Sequence, residues 1–151
     1  MVEEDEFRST YHSINQRRCC FEKALLARGC SCSCSTRFYL ADREGITCDS
    51  VPAHGRCARF LERLREKARF ALAIRSPGDE LPHAKEIRVQ NGGLLGLQQL
   101  VHPDLPGNEV ADVARLMVRA EQLWGNAEDF PYAELIKAIA GFEGRRKRGR
   151  R

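Results

Sequence analysis

Seven cysteines crowd the first 57 positions of this chain, and none follows in the remainder of its 151 residues. They are Cys19, Cys20, Cys30, Cys32, Cys34, Cys48 and Cys57. This segregation constrains the architecture more than any other feature. One end must house a dense set of thiols, and the other must build its core without them. The count is odd, and the start, MVEEDEFRSTYH, is acidic and polar, unlike a secretory or transit signal. Both points argue against a disulfide framework and predict a cytoplasmic setting in which thiols stay reduced.

The segment GCSCSCST, residues 29–36, places Cys30, Cys32 and Cys34 on alternate positions with serines between. Alternate positions of an extended chain face one side, so the three sulfurs can share a surface. Small polar spacers suit a backbone that curls around an ion and offers N–H donors to sulfur. Core cysteines, by contrast, normally sit among apolar neighbours. Cys48 and Cys57 are the expected completing ligands. Cys57 is expected in the first turn of a helix, where the dipole stabilises a thiolate. The ligand pool is therefore Cys30, Cys32, Cys34, Cys48 and Cys57, one more than a tetrahedral zinc or a 4Fe-4S cubane requires. Zinc sites favour two C-x2-4-C pairs, which are absent here. An iron–sulfur cluster is accordingly the leading expected cofactor and zinc the alternative. Cys19 and Cys20 are assigned to packing, and His54 to a solvated loop. No C-x-x-C pair supports a thiol relay.

Around the cysteines the pattern predicts a helix over about 8–28, ended by Gly29. A small hairpin should pair RFYL (37–40) with ITC (46–48). VPAHG should break the chain before a well-patterned helix over about 56–74, with Phe60, Leu61, Leu64, Ala68, Ala71 and Leu72 on one face. SPGDELPH (76–83) reads as a linker. Beyond it, EIRVQ (86–90) suggests a short strand turning at Asn91-Gly92-Gly93 into a short helix. Asn108 should cap a helix to about Trp124, and a last helix should span about 131–142. The Asn91–Gly96 run lacks the lysine and spacing of a phosphate loop, so a tight turn with close helix packing is expected.

The fold expectation is thus a mainly α, small helical protein with a short cysteine-rich β-hairpin in its N-terminal third. A cysteine-rich module (1–75), a helical module (84–144) and a basic tail (145–151) divide the chain. The six cations of the tail, Arg145, Arg146, Lys147, Arg148, Arg150 and Arg151, exceed the net charge of +4, so the body is slightly acidic. The tail can grip phosphates or an acidic partner, but without an aromatic residue it does not suggest base stacking. No apolar run is long enough to cross a bilayer. No catalytic constellation or substrate pocket emerges, which argues against an enzyme. The functional expectation is a cytoplasmic metal-binding protein, iron–sulfur in type. It would act in electron transfer, redox sensing or cluster handling for a protein partner. The alternative is a zinc-stabilised nucleic-acid-binding module using the tail, and a third reading is a metal-free docking protein.

Overall fold

The computed structural model describes residues 2–72, 82–105, 107 and 109–142. Six α-helices and one hairpin follow in order: α1 (Val2–Ile14), α2 (Glu22–Leu26), β1 (Ser35–Leu40), β2 (Arg43–Cys48), α3 (Val51–Ala71), α4 (His83–Val101), α5 (Val113–Trp124) and α6 (Tyr132–Gly141). The protein is mainly α, with the expected cysteine-flanked hairpin. Its two-residue connection, Ala41-Asp42, takes positive φ at both positions, the geometry that matches strand twist. The register pairs Ser35 with Cys48 and Leu40 with Arg43.

Three expectations are corrected first. The helix expected over 8–28 is broken into α1 and α2. Asn15 to Arg18 carry no apolar residue, and the backbone there turns aside to bond β2: the Cys48 amide donates to Arg17 O (2.8 Å) and the Cys19 amide to Ile46 O (3.0 Å). Asn15 fastens the turn, its amide donating to Ile46 O at 2.9 Å. Next, VPAHG opens α3 instead of preceding it. Ser50 caps the helix by accepting from the Ala53 amide (3.2 Å), and Pro52 suits the first turn, where its missing N–H costs nothing. Cys57 therefore lies in the second turn, not the first.

Last, the strand expected at 86–90 and the turn at 91–93 are continuous helix within α4. Its glycines serve close packing, as expected, but without a turn. A Cβ on Gly92 would stand 2.9 Å from the Ile139 Cα of α6, and one on Gly93 only 2.6 Å from Leu64 Cδ1 of α3. α4 is thereby buried on several sides, between α3, α5 and α6. Around it one hydrophobic cluster draws Phe21, Phe60, Leu64, Leu94, Met117, Leu135 and Ile139 from both halves of the chain. Each such side chain contributes on the order of 1.5–3 kcal/mol by leaving water. Phe60 is the aromatic hub, with ring centroids of Phe21, Phe130 and Tyr132 at 6.1, 5.4 and 6.3 Å.

The expected cap Asn108 lies outside the described residues. The helix begins later, at Val113, with Asp112 accepting from the Ala114 amide (3.1 Å). The residues before it are extended because they pair with the cysteine loop: the Ser31 amide donates to Val110 O (2.9 Å), the Val110 amide to Gly29 O (3.1 Å) and the Val113 amide to Ser31 O (2.8 Å). Residues 76–81 of the linker and all of the basic tail also lie outside the described residues. Among the described residues, no helix is long and apolar enough to cross a membrane.

Candidate functional site

Four separate stretches meet at one end of α3: the turn between α1 and α2, the GCSCSC loop, the end of β2, and the first two turns of α3. Between them lies a cavity of about 20 Å³, room for roughly one water molecule. Its walls hold Cys19, Cys20, Cys32, Cys34, Cys48 and Cys57, with His54 beside them and Phe21, Leu25, Ala53, Val113 and Ala114 closing the apolar side. Six of the seven cysteines thus share one small space. All are free thiols.

The cysteines differ in what holds them. Cys32 sits at the N-terminus of α5, where the amides of Cys34 (3.4 Å) and Ala114 are directed at its sulfur. Burial raises the Cys32 thiol pKa, and these two amides oppose the rise. Burial also pushes Cys19 up to about 12, reinforced by the sulfurs of Cys20, Cys32 and Cys48 and opposed by the Phe21 amide. Cys20 rises to about 11, by burial and then by Cys48. Cys57 is raised by burial first, then by Cys20, Cys19, Cys32 and Cys48. The expected lowering of this thiol by a helix dipole is therefore overturned: Cys57 is a turn further along and lies against apolar side chains. Cys48, at the end of β2, donates its S–H to Ser50 O at 3.3 Å.

Cys30 stands apart. It is buried in the core, 3% exposed, and donates to Asn91 Oδ1 of α4 at 3.5 Å, away from the cavity lining. The alternation rule explains the split only in part. Cys30 pairs with Val110 as an isolated bridge, whereas Ser33 and Cys34 turn, so the loop is not a uniform strand. Asp112 fixes that turn by accepting from both the amide (3.0 Å) and the hydroxyl (3.1 Å) of Ser33.

Three lining residues escaped the sequence reading. Cys19 and Cys20 fall within the helix expected over about 8–28, although the polar run Asn15-Gln16-Arg17-Arg18 between Ile14 and Phe21 signals the break. His54, expected in a solvated loop, is half-buried in the first turn of α3. Its Nε2 lies 3.1 Å from Arg18 O and 3.6 Å from Cys20 Sγ, so the ring ties α3 to the turn that carries the vicinal cysteines.

The sulfurs gather without closing into a finished polyhedron. Among the described residues, no group of three or more His, Cys, Asp or Glu side chains is spaced to hold a metal ion. Chemically the arrangement offers several soft donors, backbone N–H groups aimed at sulfur, and an apolar wall on one side. Compared with known proteins, the chain matches no family model, no curated protein and no solved structure.

Proposed function

We propose that this chain is a metal-binding protein whose thiolates hold an iron–sulfur cluster. In that role it would serve electron transfer, redox sensing or cluster handling for a protein partner. The observation that carries this reading is the convergence of six cysteines, from four separate stretches, on one small cavity. Cysteines kept only for packing have no need to meet: each can behave as Cys30 does, buried in the core apart from the cavity. Reactive thiols need a lowered pKa in an electropositive setting, and burial here drives Cys19, Cys20 and Cys57 the other way. A cation reverses both penalties, because it neutralises thiolates that are otherwise desolvated and mutually repelling. The sulfur-directed amides and the apolar wall fit a thiolate-ligated cluster, whose potential is set by such hydrogen bonds and by solvent exclusion.

The cavity volume favours a second reading, a single zinc ion, since about 20 Å³ suits one ion without further opening. Purification without oxygen, followed by iron, zinc and acid-labile sulfide analysis, separates the two. Iron with matching sulfide is the expected result. Stoichiometric zinc without sulfide selects the second reading. A chain that carries neither and takes up neither on reconstitution ends both.

A further inference from the structure

The ligand set itself differs from the one that the sequence pattern suggests. We infer that the metal centre takes one sulfur from each of the four stretches that meet at the cavity: Cys32, Cys48, Cys57, and a member of the vicinal pair Cys19-Cys20. Cys30 and Cys34 are not ligands. This assignment rests on the metal-binding reading above.

Geometry excludes Cys30 first. Its thiol is engaged with Asn91 in the core and lines no part of the cavity. The loop's remaining thiols are Cys32 and Cys34. The Cys34 amide already serves the Cys32 sulfur, and Ala114 adds a second donor, so Cys32 is the sulfur prepared to carry charge. Cys34 is then the residue that supplies the donor. Cys57 reaches the cavity from the second turn of α3 and is the one cysteine of that helix. The vicinal pair enters because the 15–18 turn is bonded to β2 and His54 reaches Cys20, holding both thiols on the cavity wall. The two sulfurs arrive on one stretch and four stretches fill four tetrahedral positions, so the pair is counted as one ligand position. Four ligands from four directions also suit a tetrahedral demand better than three from one loop.

The test is an anaerobic Co2+ titration of the full chain, followed through the thiolate charge-transfer and visible bands. Wild type, Cys30→Ser and Cys34→Ser are expected to bind alike. Cys32→Ser, Cys48→Ser, Cys57→Ser and the double variant Cys19→Ser with Cys20→Ser should bind at least about tenfold more weakly. Tight binding by the double variant, or loss of binding in Cys34→Ser, overturns the assignment while leaving metal binding in place. No Co2+ uptake by wild type, from a chain also purified without metal, removes the reading on which it rests. A second measurement does not depend on the variants folding. Wild type loaded with cadmium-113 and read by cadmium–proton correlation NMR identifies the ligating sulfurs directly, with couplings expected to the β-protons of Cys32, Cys48, Cys57 and one of the vicinal pair. No coupling to Cys34 is expected. Coupling to Cys34 with none to Cys19 or Cys20 overturns the assignment equally.

Discussion

A thiol surrounded by carbon keeps its proton to high pH, and several such thiols make the metal-free fold sensitive to alkali. Cys19 and Cys30 are each pushed up to about 12 and Cys20 to about 11, from an ordinary value of 9.0, with burial the first cause in each case. Below about pH 9 both folded and unfolded chains hold these protons, and the contribution to stability is complete. Above it the unfolded chain releases protons that the folded chain retains, so stability declines until the folded thiols also ionise. The urea midpoint of the reduced, metal-free protein should therefore fall steadily from about pH 9 to about pH 11. A flat profile would mean that these thiols are not buried in the folded chain. Asp112 is a second residue with a measurable role, since one carboxylate oxygen accepts from Ala114, Ser33 N and Ser33 Oγ. Asp112→Ala should cost about 1 kcal/mol as a lost cap. It should also speed metal release to a chelator, because the loop bearing Cys32 loses its anchor on α5.

Among the elements, α4 is the one whose sequence misleads. Glu86 to Gln90 looks β-prone and is followed by Asn91-Gly92-Gly93, a strong turn signal by composition. Tertiary packing overrides it, because the missing side chains let α3 and α6 approach the α4 backbone. Gly92→Ala should destabilise by about 1–3 kcal/mol, as its methyl would press on the Ile139 backbone, which cannot swing away. Gly55→Ala, where α3 leaves open space up to Arg59 Nη1 at 3.5 Å, should instead stabilise by about 0.5–1 kcal/mol. Urea unfolding of the two variants checks the contrast, and equal effects would contradict this packing. The amphipathic α3 and α6 and the hairpin were legible because their patterns are local: helical apolar spacing, and β-prone runs around a short turn. The α1–α2 break and the late start of α5 were not. Both depend on hydrogen bonds to partners distant in sequence, Ile46 for Cys19 and Ser31 for Val113. The site was half legible for the same reason. Spacing picked out Cys32, Cys34, Cys48 and Cys57, whereas the core position of Cys30 and the arrival of Cys19, Cys20 and His54 at the cavity are set by tertiary pairing.

At the scale of the molecule, four stretches of backbone meet at the cavity and one hydrophobic cluster runs beneath them. Metal binding should then stabilise the whole fold rather than a loop, because ligands from separate segments are gathered only in the folded state. With free metal about 100-fold above its dissociation constant, Tm should rise by about 5–10 °C, and a chelator should reverse the rise. Differential scanning calorimetry under argon measures both directions. A metal-bound chain that melts at the temperature of the metal-free chain would mean that the unfolded chain binds the metal as tightly as the folded one, as ligands drawn from one short segment could.

The pairing of Val110 with Gly29 and Ser31, and the anchoring of Ser33 on Asp112, bear on when the site can come into being. Every cysteine is synthesised before residue 58, yet the wall made by Val113 and Ala114 comes from much later in the chain. A ribosome-bound chain that has just exposed its last cysteine presents unshielded thiols and an unanchored loop. The cavity cannot close until α5 has emerged, so the interval between those two moments is when these thiols stand least protected from oxidation.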